Sequence, residues 1–243
     1  LGIIFYKYLS DSFLIKVYDM ICDSKPQTLK EALDVYVKEL ESEDGEELKQ
    51  GMKEECHYVM EPELTYTHFA EEARNNSFNR EQLQKGFNNI EQSDPIFADL
   101  FADIDLYSNR LGTGDQKQSD TVASLIKEID KADLLNSDAE ILGNAYEYLI
   151  GQFASETGKK AGEFYTPQQV SKILAKIVTM GKADLKNVYD PTCGSGSLLL
   201  RVAREAKVRT FYGQEKTSTT YNLARMNMLL HGVKYSDFDI KND

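Results

Sequence analysis

A glycine-rich turn between two acidic residues is the part of the sequence whose residue types and spacing best suit ligand binding. The segment VYDPTCGSGSLL (188–199) follows a strand-like stretch and precedes a helix-like one. Gly194 and Gly196 permit positive φ and let a ligand approach the backbone closely, and the N–H groups that begin the next helix can bind a negative charge. We therefore expect a nucleotide-like or carboxylate-bearing cofactor at this turn.

Several reactive or phosphate-binding patterns do not fit the same segment. The P-loop needs Gly-Lys-Ser/Thr, which is missing, and the nicotinamide fingerprint needs a third glycine where Leu199 stands. The serine of a nucleophile elbow lies in GxSxG, which the GSGS run does not supply. Cys193 has no histidine near it in the sequence to act as a base, so we interpret it as a small residue in a tight turn. The turn is thus expected to bind rather than to react.

Asp190 and Glu215 lie on either side of this turn at the ends of two predicted strands. They are 25 residues apart, close to the spacing of about 20 residues at which a doubly wound fold places an acid against ribose hydroxyls. Each acid alone also fits a loop cap. Together with the glycine turn they favour a nucleoside cofactor.

The elements that must position these residues alternate between strand and helix. We predict strands over 187–190, 210–214 and 237–240 and helices over 197–206 and 218–231, the beginning of a doubly wound parallel α/β sheet. Ahead of them, Thr166 is predicted to cap a helix whose first residue is Pro167. Its apolar stripe consists of Val170, Ile173, Leu174, Ile177 and Val178.

The first 150 residues differ in pattern and in charge. Their apolar residues recur at helical spacing, so we predict an all-helical N-terminal domain over 1–154 and a second domain over 155–243, with the junction near 155–165. Residues 1–150 carry 14 basic and 31 acidic side chains, and residues 151–243 carry 14 and 9. A segment of net charge −17 repels phosphates. Any binding of nucleic acid is therefore expected from residues 151–243 or from a partner. The acidic stretch 31–72 is interpreted as a solvated face, with a docking surface for a basic partner as the alternative.

Other classes of site are not indicated by the sequence. The three cysteines form no CxxC pair and the three histidines have no ligand spacing, so neither a disulfide framework nor a metal site is expected. No run approaches the roughly 18 apolar residues of a membrane span. The chain begins at Leu1 without Met and ends just after a strand-like segment, from which we expect a fragment of a longer protein.

Three motifs, GEFYTP (162–167), DPTCGSG (190–196) and QE (214–215), resemble the modification subunits of type I restriction-modification systems. The resemblance implies an adenine-N6 DNA methyltransferase that uses S-adenosylmethionine. It also implies a helical N-terminal domain followed by the first part of a Rossmann-like S-adenosylmethionine-dependent methyltransferase fold. The cofactor-binding residues expected on this basis are Glu163, Phe164, Tyr165, Thr166, Pro167, Gln168, Asp190, Gly194, Ser195, Gly196, Ser197 and Glu215.

The resemblance places the cofactor between the GEFYTP segment and the glycine turn, with Glu215 on the ribose hydroxyls, and the chemistry of the other residues agrees with it. Phe164 and Tyr165 would form an apolar wall and Thr166 would supply a hydroxyl. The N–H groups of the glycine turn would bind the methionine carboxylate, while Asp190 would face the ammonium group and Glu215 the ribose hydroxyls.

The implied setting is a cytoplasmic complex of a bacterium or archaeon. Its expected members are a specificity subunit, a second modification subunit and restriction subunits, and double-stranded DNA is bound through the complex. The family's catalytic Asn-Pro-Pro-Phe/Tyr segment is missing, since the five prolines of the chain are all isolated. We therefore predict no catalytic residue within the chain and a fragment that is inactive alone. The alternatives are a non-enzymatic acidic interaction protein with a degenerate nucleotide-binding fold, and a protein or RNA methyltransferase.

Overall fold

The computed structural model describes residues 1–132, 139–156 and 166–243. Contacts between residues divide the chain into two compact units, Gly2–Ser137 and Asp138–Asp243, with Leu1 joining the second. The helix Ala139–Glu156 therefore groups with the C-terminal unit. The junction that the sequence predicts near residues 155–165 falls after this helix, largely outside the described residues.

Within the described residues, the N-terminal unit contains helices and no strand, which confirms the predicted fold class. Side chains cap the start of some of its helices: the Thr28 hydroxyl accepts from the N–H of Glu31 at 3.1 Å, and the Asn79 side chain accepts from the N–H of Glu81 at 2.9 Å. The helices are α1 (Gly2–Cys22), α2 (Leu29–Leu40), α3 (Gly45–Cys56), α4 (Tyr66–Arg74), α5 (Arg80–Ser93) and α6 (Asp115–Asp130). Short 3-10 turns occur at Pro62–Leu64, Pro95–Phe97 and Asn109–Leu111.

The core of this unit is rich in aromatic rings around α1. The rings of Phe87 and Phe101 stack at 4.4 Å between centroids, and Tyr6 meets Phe87 edge to face at 5.3 Å. Buried tyrosine hydroxyls donate to backbone carbonyls of distant segments: Tyr6 to Leu64 at 2.6 Å, Tyr36 to Met60 at 2.8 Å, Tyr58 to Leu9 at 2.9 Å and Tyr66 to Ile126 at 2.9 Å. Each such ring buries apolar area while its polar tip stays hydrogen bonded.

An ion pair lies inside this aromatic core. Lys7 and Asp11, one turn apart on α1, approach to 2.6 Å between Nζ and Oδ2, and both side chains are 2% exposed. The Lys7 ammonium also lies 5.0 Å from the centroid of the Tyr66 ring. Because both charges are removed from water, loss of either one leaves the other buried without its partner.

The buried pair predicts a large and non-additive effect on stability. Lys7→Met should lower the free energy of unfolding by about 3–5 kcal/mol, because Asp11 then keeps an uncompensated buried charge. Lys7→Met combined with Asp11→Leu should recover much of that loss. Urea unfolding followed by circular dichroism measures both.

The matched control is the exposed pair Lys131–Glu128, in which each side chain is 68% exposed. Lys131→Met should change the unfolding free energy by less than about 0.5 kcal/mol. Equal effects at the buried and exposed pairs would contradict the prediction.

The C-terminal unit contains a parallel sheet, as predicted. Its strands β1 (Asp184–Asp190), β2 (Lys207–Gln214) and β3 (Phe238–Lys241) lie in the order β1-β2-β3. Register places Val188 beside Phe211 and Phe211 beside Phe238. Cys193, Leu199, Phe211, Met228 and Ile240 belong to the buried cluster that joins the sheet to its helices. The elements are α7 (Ala139–Glu156), α8 (Gln168–Val178), β1 (Asp184–Asp190), α9 (Ser197–Ala203), β2 (Lys207–Gln214), α10 (Ser218–Leu230) and β3 (Phe238–Lys241).

One prediction for α8 is wrong. The helix begins one residue later than predicted, because its first N–H groups, those of Val170 and Ser171, donate to the carbonyl of Pro167, which is therefore the N-cap in place of Thr166. The apolar stripe is exposed, with Ile173 60% and Ile177 57% accessible. Among the described residues, α8 packs mainly against α9 and buries its small face, Ser171 and Ala175.

Among the described helices, none combines the length and the hydropathy that crossing a membrane requires.

Candidate cofactor-binding site

The glycine turn lies at the carboxyl edge of the sheet, between β1 and α9. Two hydrogen bonds fix its path: the Cys193 N–H donates to the carbonyl of Gln214 at 2.9 Å, and the Gly196 N–H donates to the carbonyl of Cys193 at 2.8 Å. The first joins the turn to the last residue of β2. The turn and the residue that follows β2, Glu215, are thereby held at the same edge.

The glycines of this region are required by conformation or by space. Gly194 and Gly196 have φ of 55° and 78°, which residues with a Cβ rarely adopt. A Cβ at Gly196 would also lie 3.2 Å from the Met228 methyl group. A Cβ at Gly213, on β2 beneath the turn, would lie 2.9 Å from Sγ of Cys193. Conformation therefore favours glycine at Gly194 and Gly196, and space favours it at Gly213.

The carboxylates of Asp190 and Glu215 are each held by a hydrogen bond to one of their two oxygens. Oδ1 of Asp190 accepts from the Thr192 N–H at 3.0 Å, and Oε1 of Glu215 accepts from the Thr217 N–H at 2.7 Å. Among the described residues, no second side-chain bond engages the other oxygen of either group. The arrangement fixes each carboxylate and leaves one oxygen to accept from a ligand.

The serine hydroxyls of the turn are directed to each other. Oγ of Ser195 and Oγ of Ser197 are 3.0 Å apart, and Ser195 is 1% exposed. The N–H groups of Gly194 and Ser195 have no acceptor among the residues that the structure describes. Any contact of this turn with a ligand would therefore come from backbone N–H groups, which suit an anion.

The Cys193 thiol is buried under the turn. Burial, together with the neighbouring Asp190 and Glu215 carboxylates, raises its pKa to about 12. A thiol held in its neutral form is not a nucleophile at neutral pH, which agrees with its interpretation as a small turn residue.

Asn242 belongs to this edge, although no sequence pattern predicts it. Its Nδ2 donates to the carbonyls of Glu215 and Lys216 at 2.8 and 3.0 Å, and its Oδ1 accepts from the Ser218 hydroxyl at 3.1 Å. The side chain thus joins the end of β3 to the loop that carries Glu215. An isolated asparagine has no periodic pattern, so the sequence offers no signal for this contact.

The GEFYTP motif is described only in part. Glu163, Phe164 and Tyr165 lie outside the described residues. Thr166, Pro167 and Gln168 lie at the start of α8, and the contacts in the structure do not connect their side chains to the carboxylates. Their cofactor contacts remain predictions.

The fold consists of a helical unit followed by a parallel α/β unit, in which a glycine turn and two carboxylates meet at one edge of the sheet. Two family models match the chain: "HsdM N-terminal domain" over residues 1–129 and "N-6 DNA Methylase" over residues 137–243. Because the first covers more than half of the chain, the chain belongs to the HsdM family.

Its relatives carry consistent names. It is 34% identical over 204 residues to the type I restriction enzyme MpnII methylase subunit of Mycoplasma pneumoniae, covering 76% of this chain and 38% of that protein. It is 30% identical over 240 residues to the MjaVIII methylase subunit of Methanocaldococcus jannaschii, covering 96% and 37%. A crystal structure of the type I restriction-modification system methyltransferase subunit from Streptococcus thermophilus matches with a TM-score of 0.93 and 46% identity over 99% of this chain and 52% of that one. The chain therefore spans well under half of these two curated relatives.

The turn geometry predicts a graded effect of Gly→Ala substitutions. Gly181→Ala, at φ 75° with nothing within 4 Å of the new Cβ, should lower the free energy of unfolding by about 1–2 kcal/mol from backbone strain alone. Gly196→Ala, at nearly the same φ, should cost about 1 kcal/mol more, because the Cβ meets Met228. Thermal unfolding of the two variants makes the comparison, and equal losses would show that the contact has no effect.

The Cys193 environment predicts selective alkylation. At pH 8, iodoacetamide should modify the exposed Cys22 and leave Cys193 unmodified, because a buried thiol of raised pKa forms very little thiolate. Raising the pH to 9 should not expose Cys193, whereas urea should. Peptide mass spectrometry reads both sites in one sample. Labelling of Cys193 as fast as Cys22 in the folded protein would contradict the assignment.

Proposed function

We propose that this chain is the cofactor-binding part of an S-adenosylmethionine-dependent DNA adenine-N6 methyltransferase subunit of a type I restriction-modification system. The observation that carries the proposal is that a glycine turn and two anchored carboxylates meet at one edge of the sheet. The N–H groups of Gly194 and Ser195 in that turn have no acceptor among the described residues. The names of the relatives point to the same activity.

The donor and acceptor types of this edge fit S-adenosylmethionine. Its amino-acid end carries a carboxylate and an ammonium group, and its nucleoside end carries two ribose hydroxyls. The N–H groups of the turn suit the carboxylate, Asp190 suits the ammonium, and the unbonded oxygen of Glu215 suits the hydroxyls. The positive φ of Gly194 and Gly196 gives the turn a backbone path that lets these groups reach a ligand.

The residues of this chain would bind and orient rather than react. When bound, S-adenosylmethionine supplies a methyl group activated by its sulfonium. Glu215 and Asp190, each fixed through one oxygen, would hold the two ends of the cofactor at a set spacing, which is how alignment lowers the barrier of an in-line transfer. Phe164 and Tyr165 would cover the cofactor with an apolar wall and Thr166 would add a hydroxyl, as the family motif implies.

Methyl transfer needs more than residues 1–243 supply. They contain no Asn-Pro-Pro-Phe/Tyr segment, the group that would hold the amino group of a flipped adenine. We propose that the 243 residues bind the cofactor and do not transfer the methyl group by themselves.

The charge distribution supports an assembly of subunits. With 31 acidic and 14 basic side chains, residues 1–150 repel DNA phosphates and suit contacts with protein. We propose that a specificity subunit chooses the DNA sequence, that a second modification subunit and restriction subunits complete the complex, and that it works in the cytoplasm of a bacterium or archaeon.

Isothermal titration calorimetry with S-adenosylmethionine tests the proposal. The chain should bind it, and Glu215→Gln should weaken binding by roughly tenfold or more, because an amide donor then faces the ribose hydroxyls, equivalent to about 1.4 kcal/mol or more. The matched control is Asp239→Asn, which removes the same charge from an exposed carboxylate on β3 that pairs with Lys241 at 2.9 Å. Its affinity should stay within about twofold of the unsubstituted chain.

No binding by the unsubstituted chain would favour the alternative, a non-enzymatic interaction protein. Equal weakening of S-adenosylmethionine binding by Glu215→Gln and Asp239→Asn would show that only the negative charge of Glu215 matters, and would contradict its contact with the ribose hydroxyls.

A further inference from the structure

Asn227 is a polar residue at a buried position of α10, where an apolar side chain would be expected. It lies in the interior of α10, is 0% exposed, and has buried Ala224, Met226, Met228 and Leu230 near it on the same helix. Asparagine is a poor helix former. Its Oδ1 has no hydrogen-bond partner among the described residues, so burial of this amide is costly.

The hydrogen bond that Asn227 does make reaches the glycine turn. Its Nδ2 donates to the carbonyl of Ser195 at 2.9 Å, across 32 residues of sequence. The bond is fully buried, so it approaches the turn from the protein interior.

This contact fixes one peptide plane from both sides. The Ser195 carbonyl and the Gly196 N–H belong to the same planar peptide unit. Asn227 holds the carbonyl, and the carbonyl of Cys193 accepts from the N–H at 2.8 Å. With both ends held, the plane cannot rotate about the chain, although the glycines on either side of Ser195 leave the backbone free to do so.

The orientation of that plane constrains the N–H groups that precede it. The N–H groups of Gly194 and Ser195, which have no acceptor among the described residues, lie between two held points of the chain: the Cys193 N–H, which donates to Gln214, and the Ser195–Gly196 peptide. Backbone N–H groups bind an anion well only when they already point toward the position that the anion occupies. The amide of Asn227 supplies the restraint that glycines cannot supply for themselves.

We propose that Asn227 is a positioning residue for the cofactor: it holds the Ser195–Gly196 peptide so that the N–H groups of the turn bind the carboxylate end of S-adenosylmethionine. The inference rests on the function proposed above. It assigns Asn227 to one end of the ligand, the amino-acid end, and not to the nucleoside end held by Glu215.

If Asn227 acts only on the amino-acid end of the ligand, one variant should weaken a ligand that has this end and spare a ligand that lacks it. Asn227→Leu has a similar volume and removes the donor. Calorimetry compares S-adenosylhomocysteine with 5′-methylthioadenosine, which keeps the nucleoside and lacks the carboxylate. We expect Asn227→Leu to weaken S-adenosylhomocysteine about tenfold or more, a change of about 1.4 kcal/mol, and to change the affinity for 5′-methylthioadenosine by less than about twofold.

Asn222→Leu is the matched control. Asn222 is a buried asparagine on the same helix, 5% exposed, whose Oδ1 accepts from Arg225 at 3.1 Å. Its substitution should alter stability without separating the two ligands. Asn227→Ala, which removes the donor and adds neither bulk nor charge, serves if the leucine variant does not fold, and it should show the same selective loss.

The outcomes separate the two proposals. Equal weakening of both ligands by the Asn227 variants, or no weakening of either, overturns the role of Asn227 while the unsubstituted chain still binds. Failure of the unsubstituted chain to bind either ligand overturns the proposed function, and the role of Asn227 with it.

Discussion

The parallel pairing of β1 with β2 is the constraint on which the site depends. It places Asp190 beside Gly213, so both strands end at the same edge and the residues that follow them meet. The bond from the Cys193 N–H to the Gln214 carbonyl extends this connection into the turn. Shifting the pairing by one residue would turn every side chain of one strand to the opposite face and would separate the turn from Glu215.

The pairing also explains why a strand residue limits the shape of the turn. Gly213 is buried in β2, a position where β-branched residues are usual. Its lack of a side chain gives Cys193 the space beneath the turn. The geometry of the binding edge is therefore set partly by a residue that faces no ligand.

Sequence patterns predict the parts of this molecule whose residues have strong local signals. The pattern correctly predicts that Asp190, Glu215 and the glycine turn lie at the ends of strands. It also correctly predicts that the N-terminal unit is helical. Strand starts were missed because Asp184 and Lys207, which pair in the register, are charged and exposed. The stripe on α8 has helical periodicity, but periodicity does not say whether an element covers it. Asn242 acts through contacts with residues 26 and 27 positions away, which no local pattern encodes.

The Asn242 side chain has a thermodynamic consequence for the end of the sheet. Because it joins the residue after β3 to the backbone of Glu215 and Lys216, fraying of the β3 terminus releases the same loop that presents the Glu215 carboxylate. Local opening of the strand and occupancy of the edge are therefore linked equilibria. A ligand held by Glu215 would lower the exchange rate of β3 amides, and a better-ordered β3 would tighten the ligand by the same free energy.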